Sequence, residues 1–144
     1  MKYTKSNENN FKIMINLKLS LSRDILENAI ITALEGGSNY WYFLSDEALS
    51  IVKKSVEDYL DISLSMAICK AFLDKGVEIP IHDYESMEEL IGSLDPSLLE
   101  QRMQALLDDD GYRWALLAEM REEGDATSSD IIFQYMVLGE VIYG

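Results

Sequence analysis

Few residues of this 144-residue chain combine the types and spacing that chemistry requires, and they lie apart from one another. His82 is the only histidine and stands next to Asp83, as if the two formed half of a general base. Adjacent residues of a strand point to opposite faces of a sheet, however, and no nucleophile motif accompanies the pair. We therefore interpret His82 as a histidine on the surface or on an edge strand, and we predict no catalytic residue.

Three consecutive carboxylates, Asp108, Asp109 and Asp110, could bind a hard cation such as magnesium or calcium. They lack the alternating spacing of a calcium-binding loop, and consecutive side chains diverge at the end of a helix. A solvated helix terminus is the favoured interpretation. Cys69 is the single cysteine and offers neither a disulfide nor a metal-ligand spacing. We predict no metal, no cofactor and a reducing cytoplasm as the compartment.

The most informative segment places two glycines before four aromatic residues, Gly36-Gly37-Ser38-Asn39-Tyr40-Trp41-Tyr42-Phe43. Glycines at this point predict left-handed or otherwise strained backbone at a helix end, and they do not form a phosphate loop because they follow a helix instead of leading into one. A run of aromatic side chains must pack in the core, the favoured interpretation, or line a pocket for a neutral or cationic planar ligand. The candidate ligand-binding residues are Glu35, Gly36, Gly37, Tyr40, Trp41 and Tyr42.

The formal net charge of −14 is unevenly distributed along the chain. Up to Phe72 there are 9 acidic and 8 basic residues, whereas from Leu73 onward there are 17 acidic and 4 basic residues. This balance argues against direct contact with nucleic acid or an anionic membrane, since phosphates require lysine and arginine. It favours a protein partner with a basic surface, although acidic surfaces also serve solubility alone. The candidate acidic partner face comprises Asp108, Asp109, Asp110, Glu119, Glu122, Glu123 and Asp125.

Two elements that would position these residues are predicted directly by hydrophobic periodicity. Apolar residues alternate along residues 11–21, which predicts one long, half-buried N-terminal strand. A helical apolar stripe follows from Ile25 to Leu34, with Ser22 placed to cap it and the glycines at its end. The aromatic segment therefore follows the first helix directly.

The rest of the chain predicts further helices and a hairpin. Apolar stripes after Tyr112 and in residues 131–136 predict two helices near the end of the chain, with Gly139 ending or bending the second. Residues 77–81 and 88–94 predict a short β-hairpin, although a short helix over 88–94 is nearly as well supported. Three more helix starts are indicated by capping residues at Ser45, at Asp61 or Ser63, and at Asp95-Pro96.

These patterns predict an α+β fold, a helix-rich single domain over residues 1–144 with about five helices, one long N-terminal strand and a short β-hairpin. Residues 1–10 are polar and are expected to be flexible, and no stretch approaches the length of a membrane span. An odd number of strands leaves sheet edges exposed, so a homodimer paired across an edge is expected.

Two segments resemble a group of small proteins of phages and mobile elements. Residues 33–41 resemble the Glu-Gly-Gly-x-x-Tyr-Trp signature of that group, and residues 129–144 are similar to its C-terminal end, here closing in Gly-Glu-Val-Ile-Tyr-Gly. The group has no established activity. The resemblance therefore implies an origin, and with it the cytoplasm of a bacterial host, and it implies no chemistry.

The function expected on these grounds is that of a non-enzymatic, phage-type interaction protein. It would be an acidic inhibitor of a host defence protein or a nucleic-acid-handling protein, occupying a basic surface with its acidic face. One alternative is a sponge that stacks a nucleotide-derived immune signal on the aromatic residues. Another is an accessory structural protein whose aromatic residues all lie in the core, and the last is an enzyme built on His82 and Asp83.

Overall fold

The computed structural model describes residues 11–144, which form six α-helices and three short strands. The predicted flexibility of residues 1–10 lies outside the described residues. The strands are β1 Tyr42–Phe43, β2 Ile79–Asp83 and β3 Leu90–Leu94. The helices are α1 Arg23–Thr32, α2 Asp46–Ser55, α3 Leu64–Cys69, α4 Leu99–Leu107, α5 Arg113–Met120 and α6 Ala126–Leu138. The mixed, helix-rich α+β class is confirmed.

Serine side chains begin three of the helices at positions that the sequence indicated. Ser22, Ser45 and Ser63 each accept a hydrogen bond from the backbone N–H three residues further on, at 3.3, 3.1 and 3.2 Å. Each bond satisfies one of the N–H groups that the first turn of a helix leaves without a partner. Asp95 caps a 3-10 turn, Pro96–Leu98, that leads into α4. Local capping chemistry therefore sets where these helices start.

The sheet is antiparallel, with the strand order β1-β2-β3. The predicted hairpin is confirmed as β2 and β3, in which Ile79 lies opposite Leu94. The register shifts after Ile81, so that His82 lies opposite Leu90. Because β1 pairs with the other side of β2, His82 is on the central strand, and its predicted place on an edge strand is wrong.

The predicted long N-terminal strand is also wrong. Residues 11–21 belong to none of the helices and strands of the described chain, and all three strands of the described sheet come from later in the sequence. Alternation of apolar and polar residues shows that a segment suits a pleated surface, but it does not supply a pairing partner. Within this chain both sides of the central strand are already occupied, by β1 and β3.

Helix α6 forms the centre of the core. It is buried from Ser128 to Val137 and packs against α1, α4, α5 and β3. Asp125 and Ser128 begin it with reciprocal hydrogen bonds between side chain and backbone. Gly139 ends it in the left-handed region, with φ of 78°. A helix that is apolar on nearly every side belongs in the interior, so the other elements are arranged around it.

The two glycines after α1 end that helix in a π-helical turn, Ala33–Gly37. Neither lies in the left-handed region, so the left-handed alternative of the prediction is wrong; Gly36 has a φ of 177°. Gly37 is needed for a different reason, since a Cβ atom there would lie 2.7 Å from the carbonyl oxygen of Ala126. The missing side chain lets the end of the first helix contact the start of α6, and this contact positions the aromatic segment.

Candidate functional site

The aromatic segment is organised around one buried carboxylate, that of Asp130 on α6. Its Oδ1 accepts hydrogen bonds from Ser38 Oγ at 2.7 Å and from Trp41 Nε1 at 2.8 Å. Its Oδ2 accepts from the Tyr40 hydroxyl at 2.5 Å and from Gln134 Nε2 at 3.2 Å. The residue is only 9% exposed, and these four donors replace the water that a carboxylate otherwise requires. We refer to these five residues as the Asp130 cluster.

Gln134 joins the Asp130 cluster to the end of the chain. Its Oε1 accepts from the backbone N–H groups of Ile142 and Tyr143, at 2.9 and 3.0 Å, and its Nε2 also donates to the Tyr143 carbonyl at 3.1 Å. The Tyr143 ring stacks on the Trp41 indole, with centroids 5.3 Å apart and planes at 8°. The C-terminal residues are thus tied down by one side-chain amide and one aromatic stack.

The six predicted ligand-binding residues do not form one site. Trp41 is 1% exposed, and the chain's own Phe133 and Tyr143 lie against it, with ring centroids 5.5 and 5.3 Å away. Glu35 and Tyr42 instead line a separate cavity of about 180 Å³ beside α3. The two glycines form the turn between these places. Tyr40 is 45% exposed, and Glu35 and Gly36 are exposed as well. A ligand at these residues stays a prediction, and the geometry leaves no open slot on the Trp41 indole.

The tyrosines around Asp130 and Glu35 are held in their protonated form. Burial raises the pKa of Tyr40, and the hydrogen bond to Asp130 raises it further. Burial likewise raises the pKa of Tyr42, with the charge of Glu35 adding to the effect. Tyr42 donates its hydroxyl to the Leu34 carbonyl at 2.6 Å. These phenols therefore act as hydrogen-bond donors at neutral pH and not as bases.

The seven residues of the predicted acidic face divide into structural and exposed carboxylates. Glu119 accepts from Ser129 Oγ at 2.9 Å, Asp125 caps α6, and Asp109 accepts from the Tyr135 hydroxyl. These three hold elements of the fold together. The other four, Asp108, Asp110, Glu122 and Glu123, are exposed, and so is the capping residue Asp125.

Ion pairs already use part of the exposed acidic charge. Asp110 pairs with Arg113, and Glu123 lies 3.7 Å from Arg121. Such exposed pairs contribute little to stability because water screens them. The surface near the end of α5 keeps a net negative charge, and the partner face stays a prediction.

The hydrogen bond between Tyr135 and Asp109 shifts both groups. It holds the pKa of Asp109 below its ordinary value. Burial, followed by that bond, raises the pKa of Tyr135 to about 12. The pair therefore persists as a phenol donating to a carboxylate across the neutral range.

Other groups with chemical potential are inaccessible or isolated. Cys69 is buried, and burial raises its thiol pKa to about 12, which keeps it from acting as a nucleophile near neutral pH. His82 Nδ1 is buried and has no hydrogen-bond partner in the described part of the chain. Among residues 11–144, no group of three or more histidine, cysteine or acidic residues is placed to hold a metal ion. Across the same residues, no helix has the length and apolar character needed to cross a membrane.

Sequence reasoning missed Asp130, Gln134 and Ser38. A local signal existed, since Asp130 and Gln134 lie four residues apart on the most apolar helix of the chain and therefore share one of its faces. Polar residues in such a position are rarely left unpaired. What the sequence could not show is that the donors come from residues about 90 positions earlier.

Comparison with known proteins gives one partial likeness. Over 96 residues, or 65% of its length, the chain is 29% identical to a tRNA uridine(34) hydroxylase of Photorhabdus laumondii subsp. laumondii. The chain spans 27% of the length of that curated relative. No protein-family model matches the chain, and no solved structure matches it significantly.

This likeness corrects the function expected from sequence. A phage-type acidic inhibitor of host defence was the leading expectation, with a ligand sponge and an accessory structural protein as alternatives, and the relative instead carries the name of a tRNA-modifying enzyme. The expectation failed because it rested on net charge and on an origin, neither of which identifies a reaction. The resemblance to phage and mobile-element proteins stays a prediction.

Proposed function

We propose that this chain takes part in the modification of uridine 34 of tRNA. Its role in that process is to bind a partner and not to carry out the chemical step. The observation that carries the proposal is the 96-residue likeness to the tRNA uridine(34) hydroxylase. That likeness covers about a quarter of the relative. A chain with this partial match is therefore better explained as one part of such an enzyme system than as the component that carries out the whole reaction.

The placement of the reactive side chains supports a binding role. The thiol of Cys69 is buried and protonated, and the hydroxyl of Tyr40 and the indole of Trp41 donate to Asp130. A group engaged in this way positions the fold and is not free to attack a substrate. We therefore place the reacting groups on another polypeptide or on a part of the enzyme system unlike this chain.

The surface charge supports a protein as the direct partner. From Leu73 onward the chain has only 4 basic residues against 17 acidic ones, and two of the four, Arg113 and Arg121, lie in ion pairs with neighbouring carboxylates. Contact with tRNA phosphates requires free cationic side chains, and this half of the chain has few, so the partner that it would contact is a protein with a basic surface. Exposed carboxylates at the end of α5, including Glu122 and Glu123, would meet that surface.

The test of the function is the modification state of tRNA in the organism that encodes the chain. We expect deletion of the gene to lower hydroxylated uridine at position 34, measured by mass spectrometry of tRNA digests, and we expect the wild-type gene to restore it. The purified chain alone should leave unmodified tRNA unchanged. An unaltered nucleoside profile in the deletion strain would overturn the role in tRNA modification, whereas product formed by the chain alone would overturn the non-catalytic part.

The test of the binding mode uses matched charge variants. Glu122→Gln with Glu123→Gln should weaken capture of a tRNA-modifying protein from lysate, identified by mass spectrometry, and added salt should weaken it for the wild type. Glu85→Gln with Glu88→Gln removes the same charge from the exposed loop between β2 and β3 and should leave capture unchanged. Equal effects of the two double variants would contradict a localised acidic face. A mobility shift of tRNA by the chain alone would contradict protein-mediated contact.

A further inference from the structure

One of the two tryptophans of the chain lies at the surface. Trp114, on α5, is 45% exposed, whereas Trp41 is 1% exposed. Tyr112, two residues before Trp114, is 37% exposed. Tryptophan and tyrosine are the residues that protein interfaces favour, because each combines a large apolar ring with a polar group. Helix α5 therefore presents an aromatic surface that the described chain leaves partly open to solvent.

The helix that carries Trp114 is held firmly in the fold. The inner side of α5 is buried and packs against α4 and α6. Asp109 fixes the start of α5, since its backbone carbonyl accepts from the Arg113 N–H at 2.9 Å and its carboxylate accepts from the Tyr135 hydroxyl on α6. A side chain presented from a rigid element requires less ordering on binding than one on a mobile loop. Trp114 is thus preorganised to receive a partner.

Negative charge lies at both ends of α5. The segment 108–125 contains 7 acidic and 2 basic residues. Helix α5 has 8 residues and is about 12 Å long, so the carboxylates before it and after it lie within roughly one helix length of Trp114. Both basic residues, Arg113 and Arg121, already form ion pairs with neighbouring carboxylates. The surface around the indole therefore favours a cationic partner group.

An arginine side chain fits an indole in this setting. The face of an aromatic ring attracts a cation, and the attraction is strongest for tryptophan. The planar guanidinium group of arginine stacks on such a ring and has further N–H groups that donate to carboxylates. A phosphate or carboxylate group would be repelled by the same surroundings. The aromatic surface and the charge around it therefore select the same kind of group.

We propose that Trp114 is the anchor of the acidic face and that an arginine side chain of the partner protein stacks on its indole. This inference rests on the proposed function, which makes the partner a protein with a basic surface. It adds the residue that receives the partner and the chemical group that binds there. The exposed carboxylates, Glu122 and Glu123 among them, accept hydrogen bonds around a central aromatic contact.

A tetra-arginine peptide, capped at both ends, is the probe for this contact. We expect the chain to bind the labelled peptide, measured by fluorescence anisotropy, and to bind a labelled tetralysine peptide of equal charge more weakly, because ammonium groups do not stack. Trp114→Ala should weaken the binding of tetra-arginine about three- to fivefold. Tyr84→Ala removes another aromatic residue, 55% exposed in the loop between β2 and β3, and should leave the affinity unchanged. Circular dichroism of each variant checks that the fold is retained.

Nuclear magnetic resonance locates the contact on the molecule. The wild type has 2 tryptophans, and the indole N–H signal that is lost in Trp114→Ala should shift when unlabelled tetra-arginine is added. The signal of Trp41 should not shift. An absence of binding up to about 1 mM peptide overturns the proposal. Equal affinity for tetralysine, or a Trp114→Ala variant that binds no more weakly than Tyr84→Ala, overturns it as well.

The modification state of tRNA separates failure of this inference from failure of the proposed function. A strain that carries Trp114→Ala, with the protein present at the wild-type level, should contain less hydroxylated uridine 34 than a strain that carries Tyr84→Ala. If deletion of the gene lowers the modification and Trp114→Ala does not, the anchor is overturned and the role in tRNA modification stands. If deletion leaves the modification unchanged, the proposed function is overturned, and the peptide measurements still decide whether Trp114 receives an arginine side chain.

Discussion

The Asp130 cluster and the N-terminal residues 12–21, which we call the arm, differ in the kind of side chain that each buries and exposes. In the Asp130 cluster, a carboxylate 9% exposed receives four hydrogen bonds from within the chain. In the arm, apolar side chains that suit a sheet stay in solvent, and Ile15 is 80% exposed. The Asp130 cluster buries a carboxylate and satisfies it with hydrogen bonds; the arm exposes apolar surface and pairs with none of the described strands β1, β2 and β3.

The difference lies in where each region finds its partners. The donors to Asp130 are about 90 residues away in sequence but belong to the same chain. None of the three strands of the described sheet pairs with residues 12–21. Substitutions in the Asp130 cluster should therefore lower the free energy of unfolding more than substitutions of exposed arm residues do.

Removal of the central carboxylate should produce the largest effect. Asp130→Ala leaves the donors of Ser38, Trp41 and Gln134 without their acceptor in the interior, and we expect a loss of about 3–5 kcal/mol in the free energy of unfolding. Urea denaturation monitored by circular dichroism measures this loss. Asp110→Ala removes an exposed carboxylate and should change stability by less than about 0.5 kcal/mol. A similar result for the two variants would mean that the Asp130 cluster does not stabilise the fold.

Substitution of Gly37 should have a smaller effect on the free energy of unfolding, and the adjacent Gly36 provides a matched control. Gly37→Ala places a methyl group 2.7 Å from the Ala126 carbonyl oxygen, and we expect it to reduce the free energy of unfolding by about 1–3 kcal/mol. Gly36→Ala meets no atom within 4 Å and should be neutral to within about 1 kcal/mol. The same denaturation experiment separates them. If Gly36→Ala were the more harmful change, backbone conformation and not close approach would explain the pair of glycines.

Local sequence patterns predicted where helices and strands begin more successfully than they predicted the contacts between them. Serine caps at Ser22, Ser45 and Ser63 and the hairpin were predicted because each depends on residues within a few positions. The arm was misassigned because period two reports only that one face is apolar. It does not tell whether an edge is available, nor on which molecule.

The candidate site was predicted in part for the same reason. The aromatic residues were recognised as core or pocket, but their common acceptor, Asp130, was not, since no local pattern joins residues about 90 positions apart. The acidic residues were recognised as a charged group. Their division into structural carboxylates, such as Asp109 and Glu119, and exposed ones depends on tertiary contacts with α6.

The hydrogen bond between Asp109 and Tyr135 is intermediate between the Asp130 cluster and the arm, because both its partners belong to the same chain but meet near the surface. The pKa of Asp109 is lowered in the folded state, so its contribution to stability is present above the ordinary carboxyl pKa and is lost as the pH falls through the lowered value. The pKa of Tyr135 is raised to about 12, so its contribution is present below the ordinary phenol pKa and is lost as the pH rises through about 12.

We expect Tyr135→Phe to cause a modest loss of stability at pH 7, smaller than that of Gly37→Ala, and to lose its difference from the wild type in acid. Thermal unfolding of both proteins between about pH 2 and pH 7 measures this convergence. Asp109→Asn should remove the same part of the acid dependence. A difference between Tyr135→Phe and the wild type that stays constant down to the lowest pH would show that the ring contact, and not the bond to Asp109, is responsible.

The smallest effect on folding should come from the free part of the arm. Ile15→Lys should change the free energy of unfolding by less than about 0.5 kcal/mol, because its side chain already lies in water. Leu21→Lys introduces the same charge at a side chain packed against the core and should cost about 1–2 kcal/mol. A loss for Ile15→Lys as large as that for Leu21→Lys would place the Ile15 side chain within the core, and the contrast between arm and Asp130 cluster would then be one of degree.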